Sequence, residues 1–296
     1  MNVQLTPEQI GDTVRNHFDF EVVKLPLSGP DNLHTGVMGL FRNDNGKFVG
    51  GNSKSKSYTP HTSEDVAVLA ESASKAFNNE VKINCHWRDG HYVKVTPPDS
   101  YRRSIFGTSD NIFPHLMIEA GYNDRPFIAS LALGRDVCRN LQIFHTTDIN
   151  LSVRIRHTQS LRDKMDDLVR EMSGLREGWE DLTQMVRRME SRKVALADFL
   201  NEVYKQPPTD ASDSAVKNHR KRTEAIFDRV IRERRKTGRD PLTRDYIVSA
   251  WEAYNAVQGY TQHDKNRRNN PSDFDRVLLA SRDMDVRKAE ELALSA

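Results

Sequence analysis

The apolar residues of this chain pass from a mainly alternating pattern, with a helix inserted, to a helical one near residue 157, and that change decides what it can fold into. Before it they alternate: Phe127, Ala129, Leu131 and Leu133 keep a strict period of two, the mark of a half-buried antiparallel strand. Beyond His157 they step by four and three, with Leu161, Met165, Leu168, Met172 and Leu175 forming a two-heptad stripe. Leu182, Met185, Val186 and Met189 continue it after a break at Gly174 to Gly178. Strands first and helices after make an α+β protein: an N-terminal antiparallel β-sheet with one long helix, then a helical C-terminal half. The boundary is expected near residue 158, giving a sheet domain over 1–158 and a helical domain over 159–296, either separate or joined as one unit.

Local signals fill in the first half. Thr6-Pro7-Glu8-Gln9 reads as a capped helix start, with Thr6 as cap, Pro7 at the first helical position and Gln9 reaching back. Strands are expected at Phe20–Leu25 and Gly36–Phe41, the second turning through Asn43-Asp44-Asn45-Gly46 into Lys47–Gly50. Ser63-Glu64-Asp65 starts the long helix, whose Val66, Leu69, Ala70, Ala73 and Phe77 share one face. A hairpin follows over residues 83–95. A two-residue Asp89-Gly90 turn would pair Trp87 with Tyr92 and split its apolar residues between two faces. A three-residue loop, Arg88-Asp89-Gly90 with Gly90 left-handed, puts Ile83, Cys85, Trp87, Val93 and Val95 on one face, and is preferred. A further strand pair, Leu116–Glu119 and Phe127–Leu133, brackets a loop at Tyr122-Asn123-Asp124.

In the second half a helix is expected from Ser191 to about Tyr204, stopped by Pro207-Pro208. A basic helix runs from Val216 to Lys236, stopped by Gly238. Pro241 and Thr243 open the next, burying Tyr246, Ile247, Ala250, Trp251, Tyr254 and Val257. A polar stretch from His263 to Ser272 precedes one last helix ending near Leu294.

Composition narrows the class. Of 296 residues 37% are hydrophobic and 29% charged, as in a globular protein. No apolar run approaches the ~18 residues of a membrane span, and Met1–Leu5 lacks the start of a secretory signal. A soluble, cytoplasmic protein of the host cell, without membrane contact, is expected. Two cysteines, Cys85 and Cys138, are too few for a disulfide framework and are expected as packed thiols.

Several segments, in order, carry a resemblance: Phe41-Arg42-Asn43-Asp44, Tyr58-Thr59-Pro60, Gly134-Arg135-Asp136-Val137-Cys138-Arg139-Asn140, and Arg154-Ile155-Arg156-His157-Thr158. Ala250-Trp251-Glu252-Ala253-Tyr254-Asn255-Ala256-Val257 completes the set, with His263 and Arg268 behind it. Together they resemble the phage/plasmid-like protein family called domain of unknown function 932. Members usually show a Ser-His-Asp-Gly-Ser stretch where this chain has Ala120-Gly121-Tyr122-Asn123-Asp124, so any role of that histidine is missing here. The resemblance implies an origin on a mobile element and no established activity.

Motifs for chemistry are sparse. There is no phosphate loop, dinucleotide fingerprint, His-Glu-x-x-His, Cys-x-x-Cys or Gly-x-Ser-x-Gly, so no enzyme activity, metal or cofactor is expected. Cys85, His86 and His91 lie close on one hairpin, yet the preferred register aims Cys85 at the core and His86 away from it. Cys138 with His145 and His157 reads as a buried thiol before a nucleophile. Glu80-Val81-Lys82 with Asp65 is a weak nuclease-like pattern, because Asp65 sits in a helix start.

The basic helix is the most informative feature. The net charge is only +2, and residues 1–160 are balanced, with seventeen basic and seventeen acidic side chains; Lys217 to Arg239 holds ten Lys or Arg against Glu224, Asp228 and Glu233. At 100° per residue, Thr223, Ile226, Phe227, Val230 and Ile231 form the apolar arc, and Lys221, Arg222, Arg229, Arg232 and Lys236 a neighbouring arc about 100° wide. Arg220 and Arg234 lie near the apolar face, snorkelling. Lys265, Arg267 and Arg268 extend the patch if the fold brings them near. Such a row suits successive phosphates; alternatively it is a solvated face, or one paired with Asp166, Asp167, Glu171, Glu177 and Glu180.

Two functions follow. One is a non-enzymatic nucleic-acid-binding protein of phage or plasmid, acting in single-strand binding or annealing, with DNA preferred to RNA. The other is a viral inhibitor that binds a host defence protein. The Leu161–Leu175 stripe is read as an intramolecular seam, with homo-oligomerisation left open.

Overall fold

The computed structural model describes residues 5–77, 80–105, 107–122, 127–138, 140–145, 152–155, 169–170, 174–265 and 272–295. It is α+β, with antiparallel sheets in the N-terminal half and helices dominating the C-terminal half. The chain forms two compact units: Met1–Tyr101 with Pro114–Leu131 and Asn150–Trp179, and Arg102–Phe113 with Ala132–Ile149 and Glu180–Ala296. The single cut expected at residue 158 lies outside the described residues, and each unit is assembled from three stretches of chain. Most of the Leu161–Leu175 stripe also lies outside them.

The first half runs α1 (Pro7–His17), β1 (Val22–Ser28), β2 (His34–Arg42), β3 (Phe48–Lys54), α2 (Ser63–Ala76), β4 (Lys82–Trp87) and β5 (Gly90–Thr96). Then come β6 (Arg103–Ser104), β7 (Asn111–Gly121), β8 (Phe127–Arg135), β9 (Leu141–Ile143) and β10 (Ser152–Ile155). The remainder is α3 (Leu175–Ser191), β11 (Lys193–Ala195), α4 (Leu196–Val203), α5 (Asp213–Thr237), β12 (Ile247–Ser249), α6 (Ala250–Gly259), a π turn (Tyr260–Asp264), α7 (Asp273–Ser281) and α8 (Met284–Leu294).

In the first unit the Thr6–Gln9 capping box opens α1 as read, and Thr62 with Asp65 closes an equivalent box at α2. Val66, Leu69, Ala70, Ala73 and Phe77 are all buried. One sheet has the order β1-β2-β3 and another β10-β8-β7-β5-β4. The hairpin register is the three-residue one: Trp87 faces His91, Cys85 faces Val93 and Ile83 faces Val95. The left-handed residue is Asp89 (φ 48°), however, and not Gly90. Gly90 is wanted for space: a Cβ there would stand 2.6 Å from Gly121 Cα and 2.7 Å from Ala120 O. Strand β8 is also more enclosed than its alternation implied. Ser130 and Ala132 are buried along with Leu131 and Leu133, so both faces of the strand are covered.

In the second unit β6 pairs with the start of β7, and β9 with the end of β8. Four readings need correction there. Gly178 does not break the chain but lies buried inside α3. The helix expected from Ser191 begins at Leu196, after β11. The helix expected from Pro241 begins at Ala250, after β12, which leaves Tyr246 45% and Ile247 39% exposed. Strands β11 and β12 pair antiparallel, Val194 opposite Val248, and each runs straight into a helix; three residues carry too short a pattern to read. The single last helix is two, α7 and α8, with Asp283 capping the second.

Candidate functional site

Ser212 caps the basic helix α5, accepting from Ala215 N, and Gly238 ends it with a left-handed φ of 69°. The stop at Gly238 was legible, but the start expected at Val216 lies three residues earlier, at Asp213, and the rotation of the helix was not legible. Its buried residues are Ile226, Arg229, Val230 and Thr237, whereas Ile231 is 40% exposed. At 100° per residue the buried face is turned by about 70° from the apolar arc, toward Arg229.

Arg229 is thereby drawn inside. Its Nε and Nη2 donate to Asp264 Oδ2 at 3.2 and 2.7 Å, and its Nη1 to Glu233 Oε1 at 3.4 Å. It therefore leaves the solvated row in which the sequence placed it. Arg222 is half-buried over the Tyr204 ring at 4.6 Å, with Asp285 Oδ2 at 3.8 Å. Lys265 Nζ donates to Asp283 at 2.6 Å. Arg220, expected to snorkel, is 79% exposed and donates to Glu224 at 2.7 Å; Arg234 Nη1 is held by Glu252 at 2.8 and 2.9 Å. Arg267 and Arg268 lie outside the described residues, as do Asp166, Asp167 and Glu171.

Lys221, Arg232 and Lys236 remain exposed, and none has a hydrogen bond or ion pair among the described residues. Lys217 and Arg235, which the reading missed, share that state. These five cations fall within an arc of about 100°. The sign of the rotation was the missing signal: once Arg229 turns inward, Lys217 and Arg235 swing onto the solvent side.

Where α5 passes the turn after β8 and the π turn, Asp136, Val137, Cys138, Arg229, Arg232, Glu233, Lys236 and His263 line a cleft of about 470 Å³. Behind it lies a buried polar network. Arg135, 4% exposed, donates from Nε to Asp110 Oδ2 at 3.0 Å and from Nη1 to Glu233 Oε2 at 2.8 Å, with the Trp251 ring 5.6 Å away. Glu233 Oε2 also accepts from Asn255 Nδ2 at 2.6 Å. Asn140 Nδ2 donates to Asn255 O and Oδ1 at 3.2 Å, and Gln142 Nε2 donates to the same Oδ1. Such a network fixes one geometry because each member answers another.

The network sets the state of His263. Its Nε2 lies 3.0 Å from Asn140 Oδ1; that oxygen only accepts, so Nε2 carries the proton and Nδ1 is the bare acceptor. Burial, reinforced by the Arg229 charge, holds the His263 pKa below its ordinary value. The imidazole is neutral at pH 7. Burial also pushes the Cys138 thiol up, against the opposing pull of Arg135, so no thiolate forms at neutral pH. His145 is occupied by Ser281 O at 2.5 Å, and His157 lies outside the described residues.

The other sequence candidates are engaged as well. Asp65 is spent on its cap, and burial raises the Cys85 thiol to about 12. His91 Nδ1 is 2.8 Å from His61 Nε2, with both rings buried. Among the described residues no group of three His, Cys, Asp or Glu side chains is placed to hold a metal ion, and no helix is long and apolar enough to cross a membrane.

Residues 127–283, more than half of the chain, match the family described as Domain of unknown function (DUF932). The chain belongs to that family. The DUF932 match opens at the first residue of β8 and closes at the Asp283 cap, so it encloses every residue lining the cleft. No curated protein and no solved structure matches the chain.

Proposed function

We propose that this DUF932 protein is a phage- or plasmid-encoded, non-enzymatic binder of nucleic acid, acting in single-strand binding or annealing through the exposed side of α5. One observation carries the reading. Lys217, Lys221, Arg232, Arg235 and Lys236 are uncompensated among the described residues, while Arg220, Arg222, Arg229 and Arg234 on the same helix each sit beside an acidic partner. Among the described residues the basic helix is thus not neutralised throughout, and its unpaired charges align over about 28 Å of helix. Single-stranded polyanions bind such rows by releasing counterions.

The test is fluorescence anisotropy of a labelled single-stranded oligonucleotide against the full chain. Affinity should fall with salt at a log–log slope of about −0.7 per phosphate neutralised, roughly −3 to −4 if all five cations engage. Arg232→Glu with Lys236→Glu should weaken binding strongly and flatten the slope. Absence of binding at low salt, or affinity indifferent to that double variant, removes the proposal. Arg229 is no use in such a variant, since it holds Asp264.

A second reading, contact with a host defence protein, draws on the apolar border of the same helix. Phe227 packs edge-on against Tyr246 at 5.3 Å, and Ile231, Tyr246 and Ile247 are exposed large apolar side chains. A pull-down from nuclease-treated host lysate separates the two readings: a defined protein retained through Ile231 and Tyr246 favours the second, loss of all partners the first.

A further inference from the structure

The lining of the cleft holds three cations, Arg229, Arg232 and Lys236, and two carboxylates, Asp136 and Glu233. Each carboxylate has donors of its own, Arg135 being shared between Glu233 and the buried Asp110. Asp136 is ion-paired with Arg102 and accepts from Asn111 Nδ2 at 3.0 Å, and Glu233 accepts from Arg135 and Asn255. Arg229 is answered in turn by Asp264. Arg232 and Lys236, one helical turn apart, are left with two positive charges and no partner among the described residues. The neutral imidazole of His263 adds no charge. With Nε2 given to Asn140, its remaining polar atom is Nδ1, an acceptor.

We infer that this cleft is a site for a phosphate monoester, held by Arg232 and Lys236 beside His263. The inference deepens the nucleic-acid reading by naming which phosphate the cleft takes. A monoester carries a charge of about −1.5 to −2 at pH 7, whereas a backbone diester carries only one. Arg232 and Lys236 offer the former one cation for each of its charges. A sugar hydroxyl next to the phosphate donates to His263 Nδ1, since the monoester dianion itself keeps no proton. Arg232 supplies a planar fork and Lys236 a point charge, a pairing suited to tetrahedral oxyanions. A concavity of about 470 Å³ falls within the range of small-ligand sites. The phosphate belongs either to the end of a strand or to a free nucleotide, which share this chemistry.

Cys138, also in the lining, reports occupancy directly. Iodoacetamide labelling of the full chain at pH 8.5, read by mass spectrometry, gives the rate at Cys138 with Cys85 as internal control. Inorganic phosphate should slow labelling of Cys138 at least threefold and leave Cys85 unchanged. Chloride at equal ionic strength should protect at least fivefold more weakly, and Arg232→Gln with Lys236→Gln should abolish protection while circular dichroism stays that of the parent. No protection by phosphate, equal protection by chloride, or protection that survives the double variant overturns the assignment.

Oligonucleotides then separate this inference from the reading beneath it. A 5′- or 3′-phosphorylated strand should bind at least fivefold tighter than its hydroxyl-ended twin. Equal affinity for both, lost in Arg232→Glu with Lys236→Glu, overturns the monoester site and leaves polynucleotide binding standing. Phosphate protection without affinity for any strand does the reverse. A mononucleotide that competes as well as the phosphorylated strand identifies free nucleotides as the source.

Discussion

Gly259 lies against the Arg229 side chain: a Cβ at that position would stand 2.8 Å from Arg229 Nη1 and 3.1 Å from its Cδ, with Asn140 Nδ2 at 2.7 Å. The close approach explains why a glycine ends α6, and it gives the first prediction. Gly259→Ala forces Arg229 or Asn140 from its place. Overpacking of this kind costs ~1–3 kcal/mol, partly offset by up to ~1 kcal/mol of helix propensity. A net loss of about 1 kcal/mol is expected, read as a fall in urea midpoint; an unchanged or raised midpoint contradicts it.

Arg229 and Arg232 differ by three positions and should behave oppositely. Arg229→Ala leaves Glu233 and Asp264 without their shared partner. Removing one member of a buried pair costs ~3–5 kcal/mol, and Asp264, 36% exposed, brings that to about 2 kcal/mol. Arg232→Ala should change stability by less than ~0.5 kcal/mol, as for other solvated side chains. Denaturant curves of the two variants decide the matter, and equal losses would place Arg229 outside the network.

The hairpin offers a paired test. Asp89 holds a φ of 48°, which costs an L-residue ~1 kcal/mol or less when it is Asp, so Asp89→Gly should be neutral or slightly stabilising. Gly90→Ala drives a Cβ into the backbone of Ala120 and Gly121 and should cost about 2 kcal/mol. Thermal midpoints that reverse this order would assign the left-handed position wrongly.

His91 makes the fold acid-sensitive. Burial, aided by the charges of Arg42 and His17, lowers its pKa from 6.5 to about 3. Phe18, Phe20, Trp87, Tyr122 and His61 surround the ring. Below pH 6.5 the unfolded chain takes up a proton that the folded chain refuses until about pH 3. Stability from this group is therefore complete above pH 6.5 and lost as pH falls toward 3, by ~1.4 kcal/mol for each tenfold in proton activity. Urea midpoints between pH 7 and pH 4 should fall faster for the parent than for His91→Gln; parallel curves would rule out His91 as the cause.

How much of this was legible depended on the range of each interaction. The Thr6 and Ser63 helix starts, the 87-to-91 hairpin register and the Gly238 stop are decided by residues within a few positions of one another, and they were read from the pattern alone. The rotation of α5 was not. It is set by Asp264, 35 positions on from Arg229, and by Gly259, neither of which leaves a mark in the local periodicity. The site suffered accordingly: Arg232, Lys236 and Lys221 keep the solvent position expected of them, Arg229 does not, and Lys217 and Arg235 were passed over. The π turn that carries His263 to the cleft and Asp264 to Arg229 left no helical mark, and its last two residues were read as the start of a polar stretch.

The pairing of β11 with β12 has a consequence for how this region withstands a protease. The strands stand on either side of the stretch that holds α4, the polar loop at 205–212 and α5. A nick in that loop severs the chain between the two strands, yet their ladder still clasps the fragments. The cationic helix should stay attached after cleavage, and a digest that splits the protein on a denaturing gel should leave it eluting whole from a sizing column.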